Sequence, residues 1–189
     1  MSDTIRRETA RLFFAIRPNS AVQAALNRMA RKAAASAQGG RCVKPENIHL
    51  TVLFLGDVEL DRIDRLREIA GSVTAQTFSL SIQGTLFWKK NRIVMANVMH
   101  YPAALFALAD TLKTVLVAAG FTCEERQYKP HITLIRKADV HLPMQLENPI
   151  QWDVSEWLLL QSRLSSHGAC YTELGRWPLH SITETDSQF

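Results

Sequence analysis

His49-Leu50-Thr51-Val52 sets a histidine and a threonine on alternate positions within the largely apolar run Ile48 to Leu55, and His131-Ile132-Thr133-Leu134 repeats the pattern late in the chain. Side chains alternate faces along a strand, so each segment read as a strand turns its imidazole and hydroxyl to one side and its apolar residues into a core. A single copy would be an ordinary half-buried strand, because threonine favours strands on its own account. Two copies at corresponding strand starts point instead to duplicated lobes whose polar faces meet at one site.

The flanks carry the similarity further. Lys44-Pro45-Glu46-Asn47-Ile48 leads into the first copy and Gln127-Tyr128-Lys129-Pro130 into the second, with the Lys-Pro pair farther from the histidine in the first. Upstream, Leu12-Phe13-Phe14-Ala15-Ile16 reads as a buried strand that ends at Arg17-Pro18-Asn19-Ser20. Ser20 is positioned to cap an Ala-rich helix bearing Val22, Leu26 and Met29 on one side, broken at Gly39-Gly40. The strand Ile48 to Leu55 is expected to end at Gly56, and Leu60 to Val73 follows as a helix with Ile63, Leu66 and Ile69 in phase.

Phe78 to Ile82 alternates as a strand, and Leu86-Phe87-Trp88 and Ile93-Val94-Met95 flank Lys89-Lys90-Asn91-Arg92 as a β-hairpin whose turn type stays open. A long helix runs from Pro102 to Ala119 with Gly120 as its stop, and Trp157 to Gln161 and Tyr171 to Leu174 are later strands. The sum is an α+β chain with antiparallel pairings.

Composition narrows the function classes. With 189 residues and 47% hydrophobic content the chain can bury a substantial core, which excludes disorder as the default. Twenty-two Lys and Arg against 18 Asp and Glu give a net charge of +4, a modest bias toward phosphate-bearing partners. Cys42, Cys123 and Cys170 are odd in number, widely spaced and without a CxxC, so neither a disulfide framework nor a cysteine zinc site is indicated. A charged N-terminus without an apolar signal core, and no run long enough to span a membrane, lead to the expectation of a cytoplasmic protein with no membrane partner. Gly39-Gly40 lacks the lysine and hydroxyl residue of a phosphate loop, which disfavours ATP-driven ligation.

Histidine titrates near pH 6.5, so one imidazole can accept a proton while another donates one at cellular pH. Displacement at phosphorus needs those roles on opposite sides, at the entering and the departing oxygen. The hydroxyls of Thr51 and Thr133 are suited to donate to nonbridging phosphate oxygens as charge builds in the transition state. Arg136 falls on the opposite face from His131 and Thr133 in a regular strand and reaches the phosphate only where the strand ends or bulges. Lys44, Arg126 and Lys129 add positive potential at the entrance, and Phe54, Phe87 and Trp88 offer either a stacking surface for a base or cleft-wall packing. Lys89, Lys90 and Arg92 suit a solvated turn or an RNA contact. Zinc is disfavoured, because neither HxH nor HExxH spacing is present and no third ligand lies near. His100, His141, His167 and His180 lack the repeated threonine and read as structural or surface residues, with His167 and Tyr171 kept as cleft candidates.

From Arg11-Leu12-Phe13-Phe14-Ala15-Ile16, through Asn47-Ile48-His49-Leu50-Thr51-Val52-Leu53-Phe54-Leu55-Gly56 and Lys129-Pro130-His131-Ile132-Thr133-Leu134-Ile135-Arg136, to Tyr171-Thr172-Glu173-Leu174-Gly175-Arg176-Trp177, the chain resembles the 2H phosphoesterase superfamily. The closer resemblance is to the bacterial and archaeal RNA 2′,3′-cyclic phosphodiesterases, also called 2′-5′ RNA ligases. It implies a single bilobal domain over residues 11–177, with 1–10 and 178–189 as extensions, and two pseudo-symmetric lobes whose antiparallel sheets face a central catalytic groove. It further implies His49 and His131 as the catalytic pair, Thr51, Thr133 and Arg136 on the phosphate, no cofactor and no metal.

The implied substrate is RNA ending in a 2′,3′-cyclic phosphate, tRNA fragments included, opened by a monomer to a 2′-phosphate. His131 is then favoured as the base that activates water and His49 as the acid, an order that reverses if RNA enters the other way. An RNA 5′-hydroxyl in place of water gives 2′-5′ joining. Met95 and Asn97 depart from the Trp and Gly that relatives often carry there. A small cyclic-nucleotide phosphodiesterase and a noncatalytic RNA-binding module remain the alternatives.

Overall fold

Leu12 to Ile16 are buried throughout, as expected of apolar residues in a strand flanked on both edges. In the computed structural model, which describes residues 8–166 and 168–181, this strand is β1 (Thr9–Ile16), lying between β3 (Leu50–Glu59) and β8 (Glu156–Ser165). With β9 (Gly168–Pro178) they form an antiparallel sheet ordered β3-β1-β8-β9. A second sheet is ordered β2-β6-β5-β4-β7, from β2 (Gln38–Cys42), β4 (Phe78–Trp88), β5 (Ile93–Val98), β6 (Thr133–Val140) and β7 (Gln145–Val154), again with antiparallel neighbours. The expected α+β class with two antiparallel sheets is therefore observed. The elements exceed residues 11–177 slightly, since β1 begins at Thr9 and His180 bridges to Gln76.

The helices tie the sheets together. Helix α1 (Ser20–Ser36) leaves the first sheet yet buries Val22, Leu26, Met29, Ala30 and Ala33 beside β2 and β6 of the second. Helix α3 (Ala103–Ala118) leaves the second sheet and packs beside β3 of the first and beside α2 (Ile63–Gly71). This exchange makes one continuous core, in which Leu26, Leu50, Leu112, Ile132, Trp152 and Trp157 are essentially inaccessible.

Several local expectations change. The cap of α1 is Asn19, whose Oδ1 accepts from Val22 N–H at 2.9 Å, and Ser20 is the first helical residue. Gly39-Gly40 is not a loop but lies within β2. Both have positive φ, and a Cβ at Gly40 would stand 2.8 Å from the Ile135 side chain, so only glycine lets this edge strand approach β6. Gly56 does not end its strand either. Its φ of 76° absorbs an irregularity beside Leu55, and β3 continues to Glu59. The β4–β5 hairpin closes with a 3₁₀ turn, Lys89–Asn91, and Arg92 in the left-handed region, where its guanidinium pairs with Asp139. His141 is buried against Thr85 at 2.8 Å, a structural role as expected, whereas His167 lies outside the described residues.

Candidate active site

An isolated antiparallel bridge joins Leu50 to Ile132, the central apolar residues of the two repeats, and both are fully buried. Antiparallel register then sets His49 across from Thr133 and Thr51 across from His131, with all four polar side chains turned away from the Leu50–Ile132 core. The duplicated motifs thus meet head to tail along one seam between the sheets.

His49 stands one residue before β3 and His131 two residues before β6, and the two are held alike. His49 Nδ1–H donates to the Asn47 carbonyl at 2.7 Å, and His131 Nδ1–H donates to the Lys129 carbonyl at 2.9 Å. A carbonyl can only accept, so these bonds leave each Nε2 as the free, basic nitrogen of the neutral ring. His49 Nε2 is 3.2 Å from the Thr51 hydroxyl. Asn47 is itself fixed by an Nδ2 bond to the Ala169 carbonyl at 2.7 Å, so β9 supports the first motif. The rings are also walled by aromatics: Phe13 and Tyr171 lie 5.2 Å from His49, and Trp88 lies 5.7 Å edge-on to His131. Trp88 and Tyr171 therefore act as ring walls.

Arg136 reaches this face through a bulge. Thr133 pairs with Met95 and Ile135 with the next residue, Val94, so Leu134 is the extra residue in β6. Leu134 and Ile135 are both buried, and Arg136 is returned to the side of Thr133. The same device occurs in β3, where Thr51 pairs with Ala15 and Leu53 with Phe14, leaving Val52 extra and bringing Phe54 to the side of Thr51. Phe54 and Arg136 are thus counterparts in the two repeats, one aromatic and one cationic.

Burial above all, then the charges of Arg136, Arg17 and His131, pushes the His49 pKa down to about 4 against the opposing pull of the Asn47 carbonyl. His49 is therefore neutral at pH 7 in the free protein. Because its folded pKa lies below the unfolded value of about 6.5, the unfolded chain takes up a proton first, and stability falls as pH drops from about 6.5 to about 4. This contribution is at most about 3 kcal/mol and is expected to vanish in His49→Ala, which chemical denaturation at pH 7 and pH 4.5 measures.

A cleft of about 810 Å³ opens beside the seam, lined by Thr51, Phe54, Trp88, Lys90, Lys113, Arg126, Tyr128, Lys129 and His131 among others. Phe54, Arg126 and Lys129 line this cleft, with Arg126 engaged by Glu124, and Lys44 is not part of the lining. Lys90 alone of the hairpin-turn cations borders the cleft. Tyr128 braces the first repeat from the second by donating to the Thr51 carbonyl at 2.8 Å. Among the described residues no group of three His, Cys, Asp or Glu side chains could hold a metal, and no helix is long and apolar enough to cross a membrane.

Residues 16–95 match the LigT-like phosphoesterase family. The chain is 32% identical over 144 residues to the RNA 2′,3′-cyclic phosphodiesterase of Escherichia coli K12, covering 75% of this chain and 81% of that protein. The chain belongs to the LigT-like phosphoesterase family. Within that 2H phosphoesterase group it is also 30% identical to the RNA 2′,3′-cyclic phosphodiesterase of Archaeoglobus fulgidus over 146 residues, 72% of this chain and 82% of the relative. The crystal structure of E. coli LigT complexed with 3′-AMP superposes with a TM-score of 0.81 at 31% identity, over 91% of this chain and 99% of that one. The chain is accordingly an enzyme, a hydrolase of phosphoesters.

Arg17 is the site-facing residue that sequence reading missed. Ile16 pairs with Leu50, so the next residue stands across from His49. Local sequence carries no trace of this, because the neighbour is set by the pairing of β1 with β3.

Proposed function

We propose that this phosphoesterase opens terminal RNA 2′,3′-cyclic phosphates by attack of water, leaving a 2′-phosphate, without a metal or cofactor. The observation that carries the reading is the Leu50–Ile132 bridge, which sets two imidazoles and two threonine hydroxyls on one face in head-to-tail order. His131 Nε2 takes a proton from water as its oxygen bonds to phosphorus. His49 Nε2 gives a proton to the 3′-oxygen as the P–O3′ bond breaks. Thr51, Thr133 and Arg136 donate to the nonbridging oxygens, where a preorganised donor is worth most. With an RNA 5′-hydroxyl in place of water the same steps form a 2′-5′ bond, and the reverse steps cleave it.

The acid role asks His49 to gain a proton that burial and two guanidiniums discourage in the free protein. An anionic phosphate between Arg136 and His49 reverses the local charge and favours imidazolium. The His49 pKa followed by NMR is therefore expected to rise from about 4 on binding adenosine 2′-phosphate. A value that stays near 4 in the complex assigns His49 as the base and His131 as the acid.

Incubation of the purified protein with chelator and a short RNA ending in a 2′,3′-cyclic phosphate tests the reaction. The expected product carries a 2′-phosphate. A 3′-phosphate contradicts the assigned leaving oxygen, and unchanged RNA alongside hydrolysis of cyclic mononucleotides favours the small-nucleotide reading.

A further inference from the structure

Among the described residues, Arg17 is a cation beside the catalytic seam whose Nε has no hydrogen-bond partner. The β1–β3 pairing ends at Ile16↔Leu50 and the β1–β8 pairing at Ala15↔Leu158; the same registers extended past the end of β1 set Arg17 toward His49 on one side and Glu156 on the other, and its charge acts on His49. Strand alternation gives Arg17 the same face as Ala15, whose partner is Thr51. The two carboxylates nearby are already occupied. Glu173 accepts from Arg176 Nε and Nη2 at 2.9 and 2.8 Å, and Glu156 accepts from Arg176 Nη1. Among the described residues no hydrogen bond or ion pair holds the Arg17 guanidinium, and its Nε is buried without an acceptor. Burial accordingly pulls its pKa down, with Glu173 only partly offsetting it. A half-buried guanidinium with an orphaned donor is costly to the free protein, and a bound anion removes that cost.

The reacting phosphate already faces Thr51, Thr133, Arg136 and two histidines. Arg17 follows Ile16, which pairs with Leu50 on the side away from the Leu50–Ile132 bridge, so it suits a second anion displaced from the first. Resting on the proposed RNA reading, we propose that Arg17 binds the internucleotide phosphate on the 5′ side of the terminal nucleotide, so that the enzyme prefers an oligonucleotide cyclic phosphate to a cyclic mononucleotide. A planar fork of donors matches a phosphodiester bidentately.

Steady-state kinetics of wild type, Arg17→Gln and Arg17→Lys on a dinucleotide 2′,3′-cyclic phosphate and on adenosine 2′,3′-cyclic phosphate test this. Arg17→Gln is expected to raise KM for the dinucleotide about tenfold more than KM for the mononucleotide, and to flatten the salt dependence for the dinucleotide by about one phosphate contact. Arg17→Lys is expected to recover part of the loss, and circular dichroism to be unaltered. Equal losses on both substrates would place Arg17 at the reacting phosphate and overturn the proposal, as would constants unchanged on both; a raised His49 pKa is expected in either case, because Arg17 is one of the charges that depress it. Wild type that opens neither substrate defeats the cyclic-phosphodiesterase reading, and this inference with it.

Discussion

Alanine at His49 or at His131 lowers kcat by roughly 10²- to 10⁴-fold while the protein stays folded, because each residue removes one proton transfer and neither anchors the core. Each imidazole uses Nδ1 on the backbone carbonyl two residues before it and presents Nε2 to the seam, so its loss empties a catalytic position. The two variants separate on a substrate whose 3′-oxygen is replaced by sulfur. A thiolate departs without protonation, so His49→Ala regains most of its rate on the thio substrate while His131→Ala stays impaired. The reverse pattern exchanges acid and base, and full activity in both variants on the oxygen substrate removes the pair from the mechanism. Wild type is expected to give a bell-shaped profile in pH, with one limb absent in each variant, provided chemistry is rate-limiting.

What the sequence makes legible is whatever a strand writes into its own alternation. His49, Thr51, His131 and Thr133 declare a shared face because the residues between them are apolar, and the buried Leu50 and Ile132 bear out that parity. The long helices and the core strands are read for the same reason: each carries its own period. Both missed strands are sheet edges. β2 contains Gly39-Gly40 and β7 contains Pro149, residues that break a central strand but are tolerated where one side makes no ladder. Their sequences read as loops because only a neighbour makes them strands.

The positions of Arg136, Phe54 and Arg17 are likewise properties of pairing rather than of local pattern. Two bulges, at Val52 and Leu134, reverse the parity of everything beyond them, and a bulge is defined by the register of the partner strand. Resemblance to known phosphodiesterases favoured Arg136 where alternation argued against it, and the bulge supplies the physical cause. Arg17 had neither kind of support, since its relation to His49 exists only once β1 lies beside β3.

Arg136→Gln is expected to lower kcat/KM by roughly 30- to 1,000-fold, the equivalent of about 2 to 4 kcal/mol for a donor aimed at developing charge. The same change removes one of the cations that depress His49, so the group titrating near pH 4 in the free enzyme moves upward. Lysine at this position restores charge but not the two-pronged donor geometry, so Arg136→Lys is expected to return the His49 pKa toward the wild-type value while recovering only part of the rate. That separation of rate from titration distinguishes a group that holds the phosphate from one that merely tunes its neighbour: a tuning role predicts that lysine rescues both together. Activity of Arg136→Gln within twofold of wild type would mean that the bulge at Leu134 turns a cation toward the seam that the transition state does not use.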